Sequence, residues 1–340
     1  MKLSRSTSRR LLYSCGALSL SLGIAFLVVR FIPHSTPEYG VTFSAKYAEE
    51  LGLDPNETLE AILSELKPAH VRLMSYWDRH ERDRDRYDFT ELDQQFDLAE
   101  RYEVEVLLAI GQRQPRWPEC HVPEWAKQLS NTEYEMALLK YLHTVTDRYA
   151  DQPRLEGYHL ENEAANASFG RCPPFNNGLL RQEYATVTAA DPDTPITISV
   201  SNQYGIPLQP PLADEYAMSI YRQAYFELGG RQIYWNYSFV PAEWHRLRAW
   251  AIQLIHCRKT YIHELQTEPW GRQATVNLSL AEQAASMDPD KLRANVNYAE
   301  RIGTPKIYLW GGEWWYWRLQ KFDDPTLWHT VQAIFNQPEI

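Results

Sequence analysis

Carboxylates spaced two residues apart at the ends of short apolar runs are the most chemically suggestive feature of this sequence. His159-Leu160-Glu161-Asn162-Glu163 closes one run, and His263-Glu264-Leu265-Gln266-Thr267-Glu268 closes another. In an extended chain residues i and i+2 share a face. Glu161 and Glu163 therefore line up in the first run, and Glu264, Gln266 and Glu268 in the second. A carboxyl from each run can flank one bond. One, protonated, gives a proton to a leaving oxygen, while the other, ionised, attacks the carbon; this is the chemistry that breaks glycosidic bonds. Arg72, inside the apolar run HVRLMSY, would steady the ionised member by opposite charge. A carboxyl without such a partner stays protonated, so the pair can divide into an acid and a nucleophile, with Glu163 and Glu264 the candidates. Glu268, on a loop stiffened by Pro269, is the competing nucleophile or a binding carboxylate.

The elements that must carry these residues alternate. Short β-rich runs occur at 40–44, 70–76, 106–111, 155–160, 196–200, 217–221, 260–265 and 306–310. Between them, helical spacing of apolar residues marks 57–66, 89–102, 134–149, 179–190, 243–256, 289–301 and 325–335, with a weak helix near 211–214. Eight strand–helix units over about 300 residues predict an α/β fold, a (β/α)8 TIM barrel, whose functional residues cluster at the C-terminal ends of the strands. The rival, a doubly wound sheet, would show a glycine-rich first turn; none follows the first strand. The net charge of −10 argues against a nucleic-acid binder. No Cys/His spacing suggests zinc, no HxH pair lies on the first strand, and no metal or cofactor is expected.

The motifs resemble clan A of the retaining glycoside hydrolases. The resemblance rests on Tyr76-Trp77-Asp78, Tyr87-Asp88-Phe89, the helix LDQQFDLAERYEVEV running into LLAIG, Asn162-Glu163, and Glu264 in the setting IHELQ. It covers about residues 39–335 and is similar to both family 5 cellulase-like and family 42 β-galactosidase-like members. It implies that Glu163 is the acid/base and Glu264 the nucleophile. It further implies that Asn162 contacts a sugar 2-hydroxyl, Arg72 and Tyr221 support the nucleophile, and Trp310 floors a subsite. The expected activity is hydrolysis of an oligo- or polysaccharide by a monomeric catalytic domain. A transglycosylase on the same site and an inactive carbohydrate-binding barrel are the alternatives.

Long loops follow the third and fourth strands, and in a barrel they are neighbours. They carry Cys120 and Cys172, for which a disulfide is expected; inert thiols are the other reading. Twelve tryptophans are more than a core needs. Aromatic faces stack on sugar C–H surfaces, so Trp117, Trp235, Trp270, Trp314, Trp315 and Trp317 are expected along the substrate face. Trp125, Trp244, Trp250 and Trp328 lie on predicted helices and are expected to pack.

Residues 1–33 hold five basic side chains and no acid, a charge of +5 that leaves −15 on residues 34–340 (−10 minus +5). The 19 uncharged residues Leu11–Val29 are long enough to span a bilayer as a helix. The basic cluster before them places the N-terminus in the cytoplasm and the rest outside. A cleaved signal, which would leave a secreted domain, needs a small-residue site, which Val28-Val29-Arg30-Phe31 does not offer. The expectation is a cytoplasmic stub and signal-anchor helix over 1–33, then an extracytoplasmic catalytic domain over 34–340.

Overall fold

The computed structural model describes residues 36–336 apart from 167–168, 201–204, 208–212 and 230, together with residues 23, 26 and 28–31. Eight parallel strands close into a barrel: β1 (Glu38–Thr42), β2 (His70–Met74), β3 (Glu105–Ile110), β4 (Leu155–Leu160), β5 (Ile196–Val200), β6 (Glu215–Ile220), β9 (Lys259–Gln266) and β10 (Lys306–Trp310). They pair in chain order, with β6 beside β9 and β10 returning to β1. Between β6 and β9 lies an antiparallel hairpin, β7 (Gln223–Leu228) and β8 (Arg231–Asn236), that the alternation of elements does not predict. Its signal in the sequence is Gly229-Gly230 between two aromatic-rich runs.

Six of the helices begin where the sequence supplies a side-chain cap. Ser44 caps α1 (Ala45–Glu50) and Asp54 caps α2 (Pro55–Ala61), which continues into a π-helical stretch at Ile62–Leu66. After α3 (Trp77–His80) and α4 (Thr90–Arg101), Ser130 and Glu133 form a reciprocal capping box on α5 (Asn131–Tyr149). Asn176 caps α6 (Asn177–Ala190), and α7 (Ala242–His256) follows the hairpin. A second box, Ser279 with Glu282, starts α8 (Leu280–Ser286), and Asp288 caps α9 (Pro289–Glu300). The chain closes with α10 (Gly312–Phe322) and α11 (Thr326–Phe335). Of the weak helix expected near 211–214, Ala213 and Asp214 are not helical, and 211–212 lie outside the described residues. So does most of the expected membrane-spanning helix over 11–29; among the described residues no helix is long and apolar enough to cross a membrane.

Apolar residues on the outer faces of the strands, such as Val71, Leu73, Val106, Leu108, Ile262, Leu265, Ile307 and Leu309, form one core with the helices. Inside the barrel, Leu107, Ala217, Tyr261 and Tyr308 form an apolar layer. Gly40 makes room for it, since a Cβ there would fall 2.6 Å from the Tyr308 ring. Below this layer the strand starts carry an ion cluster. The Glu156 carboxylate pairs with Lys306, accepts from the Tyr308 hydroxyl and lies 3.0 Å from His70 Nδ1. Burial alone would raise Glu156, but His70 and Lys306 outweigh it and hold the carboxyl at about 2, below its ordinary 4.5.

A carboxyl held low in the fold stabilises it above the unfolded value and loses that contribution as the pH falls through the folded one. Glu156→Gln is therefore expected to cost about 2–3 kcal/mol at pH 7, because it leaves Lys306 without its partner. In denaturant unfolding, the gap between wild type and variant should close between pH 4.5 and about 2.

Candidate active site

The pairing register of β9 explains how the site is assembled. Its neighbours β6 and β10 each oppose it with one residue fewer: Met218 and Ser219 face Ile262 and Glu264, while Ile307 and Leu309 face Ile262 and Leu265. The extra residue is a β-bulge, which turns two consecutive side chains toward the barrel interior. His263 and Glu264 both enter the centre of the barrel, fully or almost fully buried. Strict alternation predicts only one of them. The sequence signal is the three-residue spacing between outward-facing Ile262 and Leu265.

Arg72, on β2, is completely buried and organises the centre. Its Nη2 donates to Glu264 Oε1 at 2.7 Å. Its Nη1 donates to His263 Nδ1 and, at 3.4 Å, approaches His159 Nδ1. Arginine only donates, so the His263 proton sits on Nε2, 3.0 Å from Ser219 Oγ. Ser219 in turn donates to Glu163 Oε1 at 2.5 Å. Burial, then Arg72, holds both histidines far below their ordinary range, so the rings are neutral. One chain of donors thus runs from Arg72 through His263 and Ser219 to Glu163, while the same guanidinium holds Glu264 directly. Tyr221 donates to the other Glu264 oxygen at 2.9 Å.

The two carboxylates therefore sit in different surroundings. Glu264 has a guanidinium against it. Glu163 has only neutral donors, Ser219 and Asn166 (2.8 Å to Oε2), and no ion pair among the described residues. Burial, reinforced by the Glu264 charge, raises Glu163 above the usual carboxyl range. Glu163 and Glu161 both adopt left-handed backbone, φ 48° and 50°. Glu161, which sequence alternation aligns with Glu163, accepts from the backbone N–H groups of Gln112 and Arg113 at 2.7 and 2.8 Å. Its carboxylate fills the space a Cβ on Gly111 would need. It fastens the loop after β3 and takes no part in the facing pair.

That loop, 111–130, supplies residues that sequence reasoning did not single out. Arg113 donates to the carbonyls of Asn162 and Phe169 at 2.7 and 2.8 Å. Glu119, buried, accepts from Asn162 Nδ2 at 3.1 Å, and burial followed by the charges of Glu264 and Glu163 raises it well above the carboxyl range. A disulfide joins Cys120 to Cys172, as expected, and ties this loop to the one after β4. Arg116 pairs with Glu268 and, at 3.2 Å, with Glu313. Its guanidinium lies 4.1 Å from the centre of the Trp310 ring, and the Trp310 N–H donates to Glu268 at 2.5 Å. Glu268 is thereby part of a buried cluster with Arg116 and Trp310, and one face of Trp310 is covered.

The tryptophans divide differently from expectation. Trp117, exposed, meets Phe169 edge-on at 5.8 Å; Phe169 meets Trp270 at 5.7 Å, and Trp270 meets Tyr221 at 5.2 Å. These four rings lead from the rim to Glu264. Trp235 is half exposed on β8. Trp314, Trp315 and Trp317 are not on the substrate face: they are buried, with indole N–H groups of the first two bonded to Gln283 and the Thr267 carbonyl. Trp328 packs as expected and Trp125 packs on Trp77, but Trp244 and Trp250 are exposed. Among the described residues no group of three or more His, Cys, Asp or Glu is arranged to hold a metal ion.

Residues 52–192, less than half of the chain, match the glycoside hydrolase family 42 model, described as β-galactosidase. The match includes Arg72 and Asn162-Glu163 and stops before Glu264. No curated protein matches the sequence. The barrel superposes on GH5_18 from Streptomyces cattleya in complex with GlcNAc (TM-score 0.56, 15% identity, 82% of this chain and 71% of that one). It also superposes on xylanase 10B from Thermotoga petrophila (0.52, 14%, 80% and 81%). A third match is the β-galactosidase from Halorubrum lacusprofundi (0.51, 15%, 80% and 52%), of which this chain spans about half the length. At these identities the likeness shows the fold, a (β/α)8 barrel that glycoside hydrolases share.

If Glu163 must begin catalysis protonated, the Ser219 hydrogen bond, which favours its ionised form, sets the alkaline limb of the pH profile. Ser219→Ala should move that limb of kcat/KM upward by about half to one pH unit, the equivalent of one hydrogen bond. The test is a pH–rate profile of both proteins on any glycoside the wild type turns over.

Proposed function

We propose that this protein is a retaining glycoside hydrolase acting on an oligo- or polysaccharide. The observation that carries the reading is the unequal setting of two buried carboxylates at one barrel mouth. Glu264 is held by Arg72 and Tyr221, and Glu163 by neutral donors alone. Glu163, kept protonated by burial and by the neighbouring charge, gives its proton to the glycosidic oxygen. Glu264 attacks the anomeric carbon and forms a glycosyl-enzyme. Glu163, now ionised, takes a proton from water, which releases the sugar with its configuration retained. Separating the acid from the nucleophile by environment is what two chemically identical side chains require. Asn162, beside Glu163, and the line Trp117–Phe169–Trp270–Tyr221 supply polar and stacking contacts for the sugar. The same reading includes a tether: Leu11–Val29 crosses the membrane with the basic N-terminus inside, and the barrel works outside.

Glu163→Gln and Glu264→Gln should each lower turnover by a thousandfold or more on the best substrate of an aryl-glycoside and oligosaccharide panel, an effect of the size seen for acid–base and nucleophilic groups. Proton NMR of the first-formed product should show the anomeric configuration of the substrate. Inversion, or wild-type rates in both variants, overturns the assignment.

A further inference from the structure

Helix α7 carries apolar side chains outward as well as inward: Ala242, Ala249 and Ile252 are buried, and so are two arginines. Its inner side buries Arg246 and Arg248, whose guanidinium groups donate to main-chain carbonyls: Arg246 to Val29 at 3.0 Å, Arg248 to Val200 at 3.1 Å and to Gly205 at 2.5 Å. Its outer side displays Trp244, Trp250, Leu254 and Ile255, with Leu247 and Ala251 half exposed between them. The positions 244, 247, 250–251 and 254–255 follow the helical repeat, so they form an apolar stripe facing outward, interrupted near its start by partly exposed Glu243. Leu254 is 84% exposed at its far end. A helix normally buries such a stripe; a contiguous exposed one marks an interaction surface.

Its occupant is indicated by where the chain arrives. Val29, the last residue of the 19-residue apolar run, is 1% exposed, and its carbonyl is the one Arg246 holds. Eight residues lie between Val29 and Glu38, where β1 begins, a reach of about 30 Å at most. All barrel strands start at one rim, and α7 delivers the chain to that rim at Lys259. Exposed Arg258, 3.8 Å from the Asp214 carboxylate, and exposed Lys259 follow Leu254 and Ile255 in the chain. Tryptophan and aliphatic side chains flanked by basic ones are the composition of a helix lying in a bilayer interface.

We propose that the outward stripe of α7 rests on the lipid bilayer, laying the barrel on its side so that the active-site mouth opens along the membrane surface. The inference rests on the membrane tether put forward above. From Trp244 to Leu254 the helix covers about 15 Å, enough for three anchoring turns. The opposite flank of the barrel is α4, between β2 and β3, whose outward residues, Asp97 and Glu100 among them, are polar.

The test uses the full chain in vesicles of phosphatidylcholine and phosphatidylglycerol. With Cys120 and Cys172 bonded, Cys15→Ser leaves Cys257, exposed at the end of α7, as the one thiol to label. Spin-labelled lipids should quench a fluorophore on Cys257 at least threefold more strongly than one on Asp97→Cys made in a Cys15→Ser/Cys257→Ser background. Leu254→Glu/Ile255→Glu, both outward-facing, should abolish the difference with the thermal transition unchanged. Alkaline carbonate extraction separates the two readings. If the chain is extracted, the tether fails and the inference with it. If it stays in the vesicle but Cys257 is quenched no more than the α4 label, the tether stands and the bilayer contact is wrong. Cys257–Cys257 cross-linking across two chains would assign the stripe to a second copy and equally overturn the inference.

Discussion

A single buried guanidinium determines how the barrel interior works. Arg72 is completely enclosed, and a charge so placed is tolerated only when an opposite charge and accepting lone pairs lie against it. It meets Glu264 on one side and two imidazole nitrogens on the other. Each contact has a consequence. The carboxylate is fixed in place with opposite charge against it. The histidine is forced to keep its proton on the far nitrogen, and that proton fixes the Ser219 hydroxyl, which then points its own proton at Glu163. The two carboxylates are thus oriented by one group, one directly and one through neutral intermediaries, and the difference in route is the difference in their chemical character.

This arrangement depends in turn on irregularity in the strand. Without the bulge in β9, either His263 or Glu264 would face the helices, and the relay would lack its middle member or the pair its second carboxylate. The loop after β3 adds a second layer. Glu161 fastens its start, Arg113 holds the Asn162 and Phe169 carbonyls, and the Cys120–Cys172 bridge closes it against the loop after β4. Glu163 and Asn162 are thereby positioned by contacts from a different strand's loop, which is how a barrel converts separate strand ends into one rigid site.

The residues legible in the sequence were those whose role follows from type and strand position. Arg72 in an apolar run and the carboxylates Glu163 and Glu264 at two strand ends come together in the barrel, and Tyr221, expected from the family resemblance, lies beside Glu264. The disulfide followed from the adjacency of two loops. Ser219 and His263 were not legible, because a serine in a strand has no distinguishing pattern and a bulge cancels the alternation on which facing is judged. Glu119 and Phe169 sit on loops, where spacing carries no geometric information. The tryptophans show the limit from both sides. Trp314 and Trp315 follow a strand end and so looked like substrate contacts, yet they turn into α10 and pack inward. Trp244 and Trp250 lie on a helix, where packing is the ordinary expectation, yet the buried side of α7 is filled by Ala242, His245, Ala249, Ile252 and two arginines.

Arg116 poses a last question of design. A site that stacks sugars would be expected to leave Trp310 open, yet a guanidinium lies 4.1 Å above it and the indole N–H is bound to Glu268. Two carboxylates, Glu268 and Glu313, share that one cation, and burial raises both, Glu313 to about 7. Burial of the two carboxyls outweighs the one cation they share, and Trp310 sits within the cluster with a ring face and its N–H both engaged. Trp117, Phe169 and Trp270, nearer the rim, are joined edge to face and belong to three different loops. Their positions are set by loop geometry, whereas the carboxylates below them are set by the strands. Side chains fixed in the barrel and side chains carried on its loops can vary independently, which is how one fold comes to host many functions.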